Sequence, residues 1–144
     1  MKKWVGVVAV LVVCSVSFYV YFEKKSGIIS ATLHNEKLQL VVADTDALQT
    51  QGLSGQKFLA ENTGMFFVFR NPDMYQFWMK DMLFSLDIIW FDENYKIVSI
   101  KENINPESYP EVFGPLVPSK YVLEVNAGYV KRYAINIGDV ININ

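Results

Sequence analysis

Residues 83–91 read Leu-Phe-Ser-Leu-Asp-Ile-Ile-Trp-Phe and are almost continuously apolar. A half-exposed strand alternates apolar with polar side chains, so an unbroken short run predicts a strand covered on both faces. A chain containing such a strand must bring other elements to two sides of one sheet. The tetrad Asp92-Glu93-Asn94-Tyr95 then turns the chain into residues 96–102, which gives the clearest hairpin in the sequence.

Residues 28–33 and 38–43 predict another hairpin about the polar turn His34-Asn35-Glu36-Lys37. Asp44 or Thr45 is placed to cap a short helix running to about Gln51, because a side-chain oxygen there satisfies an orphan amide; Gly52 interrupts it. Residues 56–61 predict a further helical turn or two, and residues 127–132 a last one. Strands are expected over residues 65–69, 75–80, 121–125 and 140–143. Four of the five prolines, Pro106, Pro110, Pro115 and Pro118, fall within residues 103–119. They remove backbone donors and predict an irregular loop with neither helix nor central strand.

Seven or eight short strands with two small helical pieces describe a mainly β, β-rich α+β domain, built as a compact antiparallel β-barrel or a curled sheet. Long helical patterns and a Gly-rich phosphate loop are missing, which excludes a doubly wound dinucleotide cradle. Hydrophobic residues make up 51% and aromatics 15% of the chain, ample material for a packed core.

The net charge of −2 hides an asymmetry: Lys2, Lys3, Lys24 and Lys25 against Glu23 give the first 25 residues +3 and leave about −5 for the remainder. An acidic domain is a poor match for phosphate backbones, so no nucleic-acid partner is expected. The one cysteine, Cys14, lies in the apolar N-terminal segment. The domain over residues 28–144 therefore has neither an internal disulfide nor a thiol nucleophile, and can live in an oxidising or a reducing compartment.

From Trp4 to Phe22 the chain runs 19 residues without a charge. At 1.5 Å per residue a helix of that length spans roughly 28 Å, close to the hydrocarbon thickness of a bilayer. Trp4, Tyr19 and Tyr21 stand where amphipathic aromatics meet head groups, and Lys2 and Lys3 favour a cytoplasmic N-terminus. Residues 1–25 are thus expected to be a transmembrane signal-anchor that contacts the membrane through residues 4–22, with a single pass and an extracytoplasmic C-terminal domain. Cleavage after Ser17 would instead make it a signal peptide and the domain secreted or periplasmic. Lipidation of Cys14 is a third reading, opposed by bulky Val13 before it.

Several strings recur in a known order. Gly52-Leu53-Ser54-Gly55, Gly64-Met65-Phe66-Phe67-Val68-Phe69 and Phe77-Trp78-Met79-Lys80-Asp81-Met82-Leu83 are followed by Leu86-Asp87-Ile88-Ile89-Trp90-Phe91, then Pro118-Ser119-Lys120-Tyr121-Val122-Leu123-Glu124, Asn126-Ala127-Gly128 and Gly138-Asp139. In these the chain resembles the domain of unknown function family 192, over roughly residues 39–143. The resemblance implies a small β-rich fold, often preceded by a signal or anchor, and implies no activity. Gln56, Asp81-Met82 and Ser85 stand where the family commonly has Arg, Asn-Thr and Pro.

Trp78 and Lys80 are two apart on an extended segment and share a side, with Met82 following if the strand continues. An aromatic face beside an ammonium suits an anionic or sugar-like ligand, against the plainer reading of a core tryptophan and a strand-end lysine. Asp87 lies within the apolar run, where a carboxylate must be paired, hydrogen-bonded or protonated. Lys80, or the backbone amides of the turn at Asp81, would answer it. Lys120, Val122 and Glu124 share one side of a strand, a second charged pair that is otherwise a solvated one. The candidate ligand-binding residues are therefore Trp78, Lys80, Asp81, Asp87, Lys120 and Glu124, joined by the loop over residues 103–119.

Ser54 between two glycines has no histidine partner, since His34 is the only one in the chain, so no serine–histidine triad is expected. One histidine and scattered carboxylates lack metal-ligand spacing, and neither metal nor cofactor is expected. Three functions remain. The first is a membrane-tethered extracytoplasmic binding or accessory module. The second is a hydrolase of an envelope polymer or glycan using Asp87 and Glu124 as acid and base. The third is an assembly factor docking on an envelope protein.

Overall fold

The computed structural model of the protein describes residues 27–144. The expected anchor over residues 1–25 lies outside them, and among the described residues no helix is long and apolar enough to cross a membrane. The chain runs β1 (Ile28–Leu33), β2 (Glu36–Ala43), α1 (Asp46–Gln51), β3 (Thr63–Asp73), β4 (Phe77–Trp78), β5 (Leu86–Phe91) and β6 (Ile97–Ile104). A 3-10 turn (Pro106–Ser108), β7 (Val112–Phe113), β8 (Ser119–Asn126), α2 (Tyr129–Arg132) and β9 (Ile141–Ile143) complete it. Seven strands form one curled sheet in the order β6-β5-β8-β3-β2-β1-β9, and β4 pairs with β7 in a small separate ribbon. The β-rich class with two short helices is as the sequence predicts; β2 and β3 are a parallel pair, joined by a crossover through α1.

Local chemistry explains the ends of the elements. The β1–β2 hairpin closes on His34 and Asn35, both at positive φ (49° and 68°), the backbone a two-residue turn of the primed type requires. Thr45 sits in extended conformation and its hydroxyl accepts from the Leu48 amide at 3.4 Å, capping α1. Gly52 ends that helix at φ 53°, its amide donating to the Leu48 carbonyl at 2.8 Å. Gly64 of β3 faces β8 with no room for a side chain: a Cβ there would lie 2.7 Å from the Glu124 carbonyl oxygen.

All six residues of β5 are buried, and their alternation feeds two cores. Leu86, Ile88 and Trp90 join Met65, Phe67, Met79, Met82 and Val122 beneath α1. Ile89 and Phe91 join Phe66, Leu123, Val125, Tyr129 and Ile141 on the concave side. Each fully buried Leu, Ile or Phe side chain contributes about 1.5–3 kcal/mol, so a strand inserted between two such clusters anchors both. The sheet curls until its end strands meet. Lys96 and Val140 form an antiparallel bridge, the Ile97 amide donates to the Asp139 carbonyl at 2.8 Å, and Gly138 donates to the Ile97 carbonyl at 2.9 Å.

Four expectations change. Residues 56–61 form no helix. The Gly55 amide donates to the Asp81 carbonyl at 2.8 Å, and the Asn126 side-chain amide donates to the Leu59 carbonyl at 2.8 Å, so long-range bonds hold the segment out of a helical path. The strand over residues 65–69 continues through Pro72 to Asp73, past a register shift against β8, where a missing donor disrupts no regular ladder. The expected strand over residues 75–80 shrinks to Phe77–Trp78. The proline-rich loop is irregular for much of its length, yet it carries the 3-10 turn, with Pro106 at its start, and β7.

Candidate functional site

On the α1 side of the sheet a cleft of about 340 Å³ opens between the end of α1 and the β4 ribbon. That volume lies at the small end of the range for ligand sites, roughly 300–1,000 Å³. Phe67, Phe69, Tyr75, Phe77 and Trp78 supply aromatic wall; Asp46, Gly52 and Ser54 form the opposite rim; Glu124 is the remaining charged residue of the lining. The placement follows from the alternation of strands. Phe67 and Phe69 are two apart on β3, and Glu124 pairs with Met65 of β3 and Ile88 of β5, both members of the α1-side core.

The rings are held by one another. Phe67 meets Phe77 edge to face at 4.9 Å between centroids, Phe69 stacks on Tyr75 at 3.5 Å, and Phe77 meets Trp90 at 6.1 Å. Trp90 in turn donates its indole N–H to the Tyr75 carbonyl at 2.9 Å, which fixes the chain entering β4. Burial, helped by nearby Asp73, pushes the Tyr75 phenol above its usual range, so Tyr75 stays neutral at ordinary pH. Gln49 donates to both the Ala43 carbonyl at 3.2 Å and the Val68 carbonyl at 2.9 Å, tying α1 to β2 and β3. The wall is therefore built before any ligand arrives.

Glu124 is only 5% exposed, and its Oε2 is buried without a hydrogen-bond partner. Desolvation disfavours the anion and pushes the carboxyl up to about 8. A neutral carboxylic acid at the floor of an aromatic cleft offers one donor and one acceptor to whatever enters. Gly52 lies over it: a Cβ on Gly52 would come 3.8 Å from Oε2 and 3.6 Å from the Phe67 ring.

Of the residues expected from the sequence, the cleft brings together Trp78 and Glu124. Trp78 is half exposed at 51%, so it is no core tryptophan, and Tyr109 of the proline-rich loop meets its ring at 5.7 Å. Lys80 is exposed, with Nζ 5.9 Å from the Trp78 centroid, and lies outside the cleft lining. Asp81 is exposed at positive φ (56°), and its carbonyl is held by Gly55. Lys120 points along Tyr121, 5.8 Å from its centroid. Among the described residues no ion pair joins it to Glu124.

Asp87 is completely buried on the other face of the sheet, opposite Val125 of the concave core. Its Oδ1 accepts from the Asn103 amide at 2.8 Å and its Oδ2 from the Val130 amide at 2.9 Å. Val130 is the second residue of α2, whose cap residue Gly128 has no side chain to offer. The carboxylate thus caps α2 from β5 and ties the end of β6 to it. Its partners are backbone amides, as the sequence allows, but those of Asn103 and Val130 in place of the turn at Asp81. Lys80 makes no ion pair with it among the described residues. Asp87 and Glu124 face opposite sides of one sheet and cannot flank a common bond.

Sequence reasoning missed Asp46, Gly52, Phe67, Phe69, Tyr75 and Phe77 as lining residues. The period-two spacing of Phe67 with Phe69, and of Tyr75 with Phe77, was the available signal. Among the described residues no group of His, Cys, Asp or Glu is arranged to hold a metal ion.

The family model described as "Uncharacterized ACR" matches residues 28–143. A crystal structure from Sinorhizobium meliloti 1021, described as that of a proposed transcription regulator, is similar at 28% identity and a TM-score of 0.75, covering 82% of this chain and 93% of that one. A protein of unknown function from Novosphingobium aromaticivorans DSM 12444 is similar at 28% identity and a TM-score of 0.74, covering 81% of this chain and 84% of that one. No curated protein matches the chain.

Proposed function

The chain belongs to the domain of unknown function family 192, and on that premise we propose that it is a membrane-tethered, extracytoplasmic module that binds a small molecule in the cleft between α1 and β4. The observation that carries the reading is Glu124: an unpartnered carboxyl oxygen buried beneath pre-arranged aromatic rings. An unsatisfied buried polar group costs roughly 1–3 kcal/mol. A fold that keeps one at the base of an aromatic cleft is arranged for something that completes the hydrogen bond.

The tether rests on the uncharged run from Trp4 to Phe22. Of the ligand classes expected from the sequence, a sugar-like molecule suits the site better than an anion. The cleft is lined by the carboxyl groups of Asp46 and Glu124 and by no lysine or arginine. A paired-carboxylate hydrolase is supported less, because Asp87 and Glu124 lie on opposite faces.

The test is a backbone amide NMR screen of the full chain in micelles against small neutral and cationic polar compounds. Binding at this site shifts resonances of Gly52, Phe69 and Trp78 together, and Trp78→Ala weakens it. Compounds that move only residues remote from the cleft, or none that bind at all, would sink the proposal.

A further inference from the structure

The chemistry of the cleft narrows its ligand further, on the premise that the binding reading above is right. Apart from Leu53, Met82 and Gly52, the residues that line it carry aromatic, amide, hydroxyl or acidic side chains, and neither a lysine nor an arginine is among them. Phe69, Tyr75, Phe77 and Trp78 present ring quadrupoles, whose negative faces attract cations and whose attraction grows when water is excluded. Tyr75 is held neutral, so its ring adds no second anion to the wall. Glu124 and Asp46 are the formal acids within reach, and Glu124 has an oxygen that nothing in the protein satisfies. Of the cations near these rings, Lys80 lies over Trp78 at 5.9 Å but does not line the cleft.

We infer that the cleft is a receptor for a small ammonium-bearing compound, with the rings of Phe69, Tyr75, Phe77 and Trp78 around the cation and the Glu124 carboxylate as its counter-charge. A neutral polyol could hydrogen-bond to Glu124 but would leave the acidic lining without use. An anion would meet Asp46 and Glu124 and no compensating cation in the lining.

Loading a cation next to Glu124 requires the acid to ionise, so its proton leaves to solvent as the ammonium enters. The other titratable groups facing the cleft are Asp46 of α1 and Tyr75 before β4. Across β3 and β5 Glu124 meets only Met65 and Ile88. The proton released is therefore that of Glu124.

The experiment is calorimetric titration of the full chain, in a detergent with neither sugar nor ammonium head group, with choline chloride and separately with a methyl glucoside. Near neutral pH, in buffers of different ionisation enthalpy, choline is expected to saturate the protein and release roughly one proton. Glu124→Gln keeps the shape of the neutral acid and should weaken choline by roughly tenfold or more. Trp78→Ala, at an exposed position, should weaken it by about three- to tenfold. Glucoside binding without choline binding would overturn the cation assignment and leave the binding module standing. Choline binding with no proton release and no loss in Glu124→Gln would remove Glu124 from its role and overturn the inference. Binding of neither probe, with the NMR screen also blank, would overturn both readings.

Discussion

Asp87 and Glu124 stand one register step apart on neighbouring strands, both buried, yet Asp87 accepts two backbone hydrogen bonds whereas Glu124 Oε2 accepts none. The same residue class thus serves architecture on the concave face and, in the function proposed above, recognition on the other. Their mutational behaviour should separate accordingly.

Asp87→Ala leaves the Asn103 and Val130 amides buried without partners and uncaps α2. Two such orphans cost roughly 2–5 kcal/mol together. Urea denaturation should show a loss of that size. A variant as stable as the parent would show that α2 does not depend on β5.

Glu124 gives stability a pH dependence of definite sign. Its folded carboxyl titrates at about 8 against an ordinary value of 4.5, so on raising the pH the unfolded chain loses its proton first. Stability is highest below the unfolded value, falls as pH rises between the two, and levels off above about 8, with at most about 5 kcal/mol between the plateaus. Glu124→Gln should abolish that slope. Parallel denaturant curves across the window check it, and identical slopes in parent and variant would place the titrating group elsewhere.

How much of this could be read in the sequence depends on range. The covered strand β5, the His34-Asn35 hairpin and the Thr45 cap depend on neighbours a few residues away, and each follows from side-chain chemistry. Alternation also placed Lys120, Val122 and Glu124 on one face. What alternation cannot supply is which stretch of that face α1 covers, and Glu124 is buried there while Lys120, four residues away, is only half-buried. Asp87 shows the same limit: its burial follows from the apolar run, but its partners come from 16 and 43 residues farther along. Residues 56–61 failed as a helix because Asn126 claims the Leu59 carbonyl and Asp81 holds Gly55 just before them, which local pattern does not encode.

Gly52→Ala should cost stability and also take up space in the cleft. The backbone at φ 53° disfavours any side chain, by about 1–3 kcal/mol. The added methyl would also lie 3.8 Å from Glu124 Oε2, over the floor of the cleft. Thermal melting should fall and cleft binding should weaken together; a stable variant with unchanged binding would detach Gly52 from the site.

Trp78→Ala should leave the fold largely intact, because the ring is half exposed and meets Tyr109 edge-on. The expected loss is within about 1.5 kcal/mol. Near-ultraviolet circular dichroism from the buried Trp90 reports whether the core persists, and its collapse would return Trp78 to the core.

The uncharged segment from Trp4 to Phe22 should retain the full chain in membranes through a carbonate wash. Release into the supernatant would remove the tether.

The meeting of Lys96 with Val140 has a consequence for self-association. An open sheet leaves unpaired amides and carbonyls along its borders, ready to recruit strands from other molecules. Here one border strand, β9, is three residues long, and the start of the other is already bonded to the chain entering it. The domain thereby carries its own protection against fibrous stacking.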